Sequence, residues 1–186
     1  MEYYWVFLDV AYHDQDAVAA AIVTPGHDTG KIISSYTTVS RKVADYEPGF
    51  FYKRELPCLV SVLGKVKEPL GLIFIDAHVW LSRRYPGLGA RLFDSLGRRV
   101  PVVGLAKSPF SQKLDAKVVR KVFRGSSTRP LYVSAEGISL NTAASMVLRL
   151  HGRYRIPLAM KAAHQLAQKE LIYEVGDRHG GCAASR

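Results

Sequence analysis

Residues 46–57 read YEPGFFYKRELP: an aromatic, a proline and a glycine, then a basic pair, Lys53 and Arg54, and one acid, Glu55. Apolar residues follow at Leu56, Leu59, Val60, Val62 and Leu63. The Pro-Gly step marks a turn, and the apolar residues recur at helical spacing. The segment therefore reads as an exposed loop, with Tyr46 at its tip, entering a helix that carries Glu55 in its first turns and runs to about Lys67. Two other acids give this loop its meaning. Asp9 in WVFLDVAY and Asp76 in LGLIFIDAH each lie near the end of a hydrophobic strand pattern.

Before the loop, residues 3–12 and 17–24 are β-rich runs joined by HDQD, and residues 31–39 form a third. Such runs bounded by turn residues predict a three-stranded antiparallel meander. After the helix, Glu68-Pro69 is a stop and residues 72–76 are a continuous apolar strand, expected at the centre of the sheet with both faces covered. A basic loop over residues 78–87, a short helix over 88–96 and an apolar strand over 101–106 come next. Residues 118–123 and 130–134 can pair as a hairpin across GSSTR. Two helices, 140–150 and 157–172, close the pattern. This is an α/β chain with a mixed central sheet that opens with an antiparallel meander and is flanked by helices, a layout that by analogy resembles a ribonuclease H-like fold. We expect one domain over residues 1–175, with residues 176–186 (GDRHGGCAASR), which lack periodicity, as a frayed tail.

The chain has 186 residues and a formal net charge of +10, unevenly spread. Residues 1–78 hold 7 Lys/Arg against 10 Asp/Glu, whereas residues 79–161 hold 16 against 3. An acidic segment containing all three acids, followed by a cationic one, suits a polyanion lying over a metal site. The alternative is a basic surface kept for solubility. Cys58 and Cys182 lie far apart, so neither a disulfide framework nor a zinc site is expected. No apolar run approaches the roughly 20 residues of a membrane span. Asp9 interrupts what would otherwise pass for a signal segment. A cytoplasmic monomer, with no membrane partner, is the expectation.

Gathering Asp9, Glu55 and Asp76 is costly by itself. At an effective dielectric near 20, two like charges about 4 Å apart repel by roughly 4 kcal/mol. A hard divalent cation, Mg²⁺ with Mn²⁺ as substitute, resolves the repulsion because it takes oxygen ligands. It would also serve phosphodiester hydrolysis by activating a water and stabilising the leaving oxygen. Lys107, immediately after VVGLA, belongs at the carboxyl end of its strand, where its ammonium can meet developing phosphate charge. Each acid alone could equally be a solvated strand end, and Lys107 a surface lysine. Tyr46, with Pro48 and Gly49, could wedge into a base stack, supplying about 1–3 kcal/mol, or simply cap the helix. His78 and His164 are candidate ligands or structural histidines.

The segments FLDVAY, YEPGFFYKRELP, IFIDAH with the following Arg pair and Gly87, VVGLAKS, and YVS…ISLNTA…RYRIP occur in this order. Together they resemble endonuclease V, the repair nuclease family of the ribonuclease H-like fold that acts on deoxyinosine. The resemblance covers most of the chain. It implies Asp9, Glu55 and Asp76 as metal-associated catalytic acids and Lys107 as a catalytic lysine. It also implies Tyr46, Pro48 and Gly49 as the wedge, with His78, Arg83, Arg84 and Gly104 among the nucleic-acid contacts. Members use Mg²⁺ or Mn²⁺ and cut the second phosphodiester bond 3′ to hypoxanthine in DNA, some preferring inosine in RNA, so the implied partner is nucleic acid with deaminated or mismatched bases.

Several positions depart from the family pattern. Ala77 and Val79 flank His78 where glycines are usual, which predicts a narrowed base pocket. Ser82 replaces a histidine, Glu47 an aliphatic wedge residue, and Ala135-Glu136-Gly137 a Gly-His pair. The metal centre is thus expected to be intact and the recognition apparatus altered. Two rival readings follow: a module that binds damaged nucleic acid without cutting it, and a scaffold with no nucleic-acid role.

Overall fold

The structure is a computed structural model and describes residues 3–43, 51–112 and 114–180. Its elements in chain order are β1 (Tyr4–His13), β2 (Asp16–Pro25), β3 (Ser34–Ser40), α1 (Phe51–Leu63), β4 (Leu70–Ile75), β5 (Trp80–Ser82), β6 (Tyr85–Pro86), α2 (Leu88–Ser95), β7 (Val102–Ala106), β8 (Arg120–Val122), β9 (Leu131–Glu136), α3 (Leu140–Arg149) and α4 (Leu158–Gly180). Seven strands form one sheet in the order β3-β2-β1-β4-β7-β9-β8. β1 to β3 pair antiparallel as the expected meander, while β1, β4 and β7 run parallel at the centre. β9 returns antiparallel to β7, and β8 pairs with it. This is the ribonuclease H-like arrangement that the sequence pattern predicts.

Side-chain alternation along the central strands feeds two cores. Val6, Leu8, Ile73 and Ile75 pack with Cys58, Leu59 and Val62 of α1 and Leu92 of α2. Phe7, Phe74, Val103 and Leu105 face the other way, against Ala143 and Val147 of α3 and Ala163 of α4. Phe7 and Phe74 stack with centroids 4.6 Å apart across the parallel pair. β2 is alanine-rich because it is covered on both sides: Ala17, Ala19 and Ala21 lie on the α1 side, whereas Ala20 and Val18 meet Ala167 and Leu171 of α4. Small residues on both surfaces let α4 settle close to the sheet. α1 contains Pro57, which removes one N–H donor. The helix continues through it because Cys58, Leu59 and Val62 are buried.

Two expectations are corrected here. Residues 78–87 are not simply a loop, since β5 and β6 form a small antiparallel hairpin within them. Strands of two or three residues are too short to leave a periodic signature. The last helix runs to Gly180 rather than ending near Ile172. A helix already nucleated adds one hydrogen bond per residue without needing an apolar stripe, and no proline interrupts it. Of the residues expected as a frayed tail, 176–180 therefore belong to α4, and 181–186 lie outside the described residues.

The connection between α3 and α4 is built around a buried cation. Arg124, just past β8, is 4% exposed. Its guanidinium donates to the carbonyls of Leu150, Gly152, Tyr154 and Arg155. Those carbonyls replace the water that burial removes and bind the β8 end to residues 150–155.

Candidate active site

The register of the central strands decides where the acids meet. The parallel pairing of β1 with β4 ends at Leu8 opposite Ile75. Asp9 and Asp76 are the next residues, on neighbouring strands about 4.8 Å apart. Both share the face of Phe7 and Phe74. Asp9 is not at the end of its own strand, because β1 outruns β4 and continues against β2 as far as His13. Glu55 approaches from α1, across the other face, and is 9% exposed.

The three carboxylates feel one another. Burial, then the charge of Asp76, raises the Asp9 carboxyl above its ordinary range, against hydrogen bonds from His164 and the Val10 amide. Burial and then the charges of Asp9 and Asp76 push Glu55 up to about 8, while Arg54 and Tyr12 pull the other way. Burial and the charge of Glu55 raise the Tyr12 phenol in turn.

Each aspartate has its own partner. Lys107, directly after β7, bonds Asp76 through Nζ; Lys107 is 45% exposed and Asp76 14%. His164 Nδ1 lies 2.7 Å from Asp9 Oδ2. Lys107 is itself gripped from behind, because Arg155 Nη2 donates to its carbonyl and to that of Pro130. His164 had only a generic signal in the sequence. The usable clue was its neighbours: Ala159, Ala163 and Ala167 form a buried small-residue stripe. That stripe brings α4 close to β1, leaving the adjacent histidine over Asp9.

The donors present fit a hard cation: three carboxylates whose mutual repulsion a divalent ion would relieve, with no thiolate among them. Among the described residues, however, no three His, Cys, Asp or Glu side chains converge on a common metal position. Asp76 and Asp9 are instead turned to Lys107 and His164.

Beyond Asp76 and Lys107 opens a cavity of about 690 Å³, lined among others by Tyr52, Ala77, His78, Leu81, Arg91 and Phe110. Arg91 lies over the Tyr52 ring at 3.6 Å, making one wall a cation–aromatic stack. His78 Nε2 is 2.9 Å from the Ser108 carbonyl. Since a carbonyl only accepts, Nε2 carries the proton. Burial lowers the His78 pKa and favours this neutral form.

The other candidates fall in varied places. Ala77 lines the cavity, but Val79 does not narrow it. Val79 is fully buried, and its side chain fills the space beside Gly89 of α2. Gly104 is buried in β7 beneath the turn that follows Asp76. It supports that turn and does not line the cavity. Arg83 and Arg84 lie between β5 and β6. Arg83 Nε pairs with Asp115 at 3.6 Å, and the Arg84 amide donates to Ser82 Oγ at 3.3 Å. Glu136, in the altered segment, accepts from Trp80 Nε1 at 2.6 Å and so ties β5 to β9. Tyr46, Pro48 and Gly49 lie outside the described residues, as does Glu47.

A sequence model of endonuclease V matches residues 4–165. The chain belongs to the endonuclease V family of nucleases. Endonuclease V of Rhodospirillum centenum is 29% identical over 181 residues, covering 86% of this chain and 75% of the relative. The crystal structure of endonuclease V from Streptomyces avermitilis superposes with a TM-score of 0.81 at 28% identity, over 94% of this chain and 83% of that one. Endonuclease V of Ciona intestinalis, solved with a 24mer DNA containing an inosine followed by a ribo-adenosine, shares the fold with a TM-score of 0.76 at 20% identity, over 91% of this chain and 86% of that one. No helix among the described residues is long and apolar enough to cross a membrane.

Proposed function

We propose that the chain is a divalent-metal-dependent endonuclease that hydrolyses a phosphodiester bond on the 3′ side of a deaminated base, hypoxanthine first, in DNA or RNA. One observation carries the reading. Asp9 and Asp76 stand side by side past the paired ends of parallel strands, within the field of Glu55, and a cavity with room for a base begins at Asp76 and Lys107. The inosine-containing DNA bound by the Ciona relative supports the choice of base.

Asp9, Glu55 and Asp76 would hold Mg²⁺ or Mn²⁺. Such an ion supplies Lewis-acid stabilisation of charge at the phosphate and a more acidic water. The protein's own groups do the rest. His164 fixes Asp9 and favours its ionised form. Lys107, half exposed, can reach from Asp76 to a phosphate oxygen and meet the charge that grows there. The cavity takes the extruded base against Tyr52 and Ala77, excluding water on that side.

The test is cleavage of end-labelled single and double strands of DNA and RNA, with and without inosine, in Mg²⁺ and then Mn²⁺. A nick one nucleotide beyond inosine is expected; retained binding with no product in any lane would sink the reading. Lys107→Ala should lower single-turnover cleavage on the order of a hundredfold. Arg155→Ala, which frees the Lys107 backbone, should lower it about tenfold with little change in binding. Arg155→Lys, whose ammonium ends short of the Nη2 position and lacks the planar guanidinium geometry, should not restore it fully.

A further inference from the structure

We propose that Phe123 and Tyr154, with the arginines beside them, form a second nucleic-acid contact: a stacking platform for unpaired nucleotides flanking the scissile bond. Phe123 is 54% exposed and Tyr154 is 61% exposed. Large rings are left in water here although the two segments that carry them are tightly joined. Arg124 donates to the Tyr154 carbonyl at 2.9 Å. A Cβ on Gly125 would fall 2.0 Å from the Arg153 carbonyl, so the backbone at Gly125, two residues past Phe123, lies directly against that of Arg153 and Tyr154. The Arg124 hydrogen bonds and this close approach tie together the two segments that carry the rings, which lowers the ordering cost of stacking a base.

The surroundings select a polyanion. Arg153 lies over the Tyr154 ring at 5.1 Å and donates to its hydroxyl at 2.9 Å. Arg120, Lys121 and Arg129 are exposed nearby in sequence, on β8 and on the loop that Arg155 ties down at Pro130. No Asp or Glu occurs from residue 116 to 135 or from 137 to 169. Among the described residues Arg120, Lys121, Arg129 and Arg153 make no ion pair, and exposed aromatics set among such cations are the pairing that single strands use: stacking for bases, charge for phosphates. The platform is also continuous with the site. Arg155, next to Tyr154, donates to the carbonyl of Lys107, so a strand lying over Tyr154 passes within one residue of the catalytic lysine's anchor. A paired duplex offers no free base faces, so the surface discriminates for unpaired nucleotides.

The inference rests on nucleic acid being the ligand and not on cleavage, so its test is run in EDTA. Fluorescence anisotropy would follow an unmodified single strand and the matching duplex on the parent protein, on Phe123→Ala/Tyr154→Ala and on Phe123→Trp/Tyr154→Trp. The alanine pair is expected to weaken single-strand binding about tenfold or more while the duplex moves less than about twofold, and the tryptophan pair should restore it. Single-strand affinity unchanged within about twofold would overturn the proposal. So would equal losses on both ligands, which would mark the rings as loop packing. Binding with this pattern in a chain that never cuts would remove the nuclease reading and leave the platform standing.

Discussion

Asp76→Ala is expected to lower single-turnover cleavage of an inosine strand on the order of a thousandfold, while leaving the strand bound. Asp76 alone among the acids touches every part of the site. It stands beside Asp9 at the end of the parallel pairing, it holds the Lys107 ammonium, and it lines the cavity. Losing it removes a metal ligand in the proposed set and frees Lys107 from its place, two effects that act on the same transition state and so need not add. Binding should survive or tighten, because the substitution deletes a negative charge where a phosphate would lie. Folding should survive too. The Asp76–Lys107 pair is partly exposed, and pairs of that kind contribute little to stability. The check is cleavage in Mg²⁺ alongside anisotropy in EDTA and a thermal melt. Activity within about tenfold of the parent would remove Asp76 from the catalytic assignment.

The strands that lead to Asp76 and Lys107 were legible because burial on both faces writes itself as unbroken apolar runs, at residues 72–75 and 102–106. The meander was legible for another reason: its turns, HDQD and the Pro25-Gly26 step, are composed of residues that turns require. Other features depend on packing between distant segments, which no local pattern encodes. His164 reaches Asp9 only because Ala163 packs into the cluster of Phe7 and Ile22, and Ala167 into that of Val18 and Ala20, across the α4–sheet interface. Val79 reads as a side chain added to a pocket, yet the hairpin of β5 and β6 turns it inward, against α2. The three acids were named from topology, and register then set two of them side by side. Their partners, Lys107 on Asp76 and His164 on Asp9, follow from side-chain reach and could not be read from spacing.

Gly104 sharpens that distinction, because its sequence reading and its structural setting predict different outcomes for one substitution. A Cβ at this position would lie 2.2 Å from the Ala77 carbonyl, 3.0 Å from the Val79 nitrogen and 3.2 Å from Ser134 Oγ. Two of these neighbours are backbone, and the third is engaged, since Ser134 Oγ accepts from the Val79 amide at 2.8 Å. Glycine is therefore required for close approach, letting β7 pass directly under the turn that starts at Asp76. Gly104→Ala must lift that turn, at a cost of roughly 1–3 kcal/mol of stability and a fall in melting temperature of several degrees. Displacing Asp76 by a fraction of an ångström to about 1 Å should cost on the order of a hundredfold in cleavage. Affinity for the strand in EDTA should stay near the parent value, because no contact surface is lost. If Gly104 instead met nucleic acid directly, affinity would fall while the melt stayed in place. Measuring both on one preparation separates a glycine that shapes the floor of the site from one that touches the substrate.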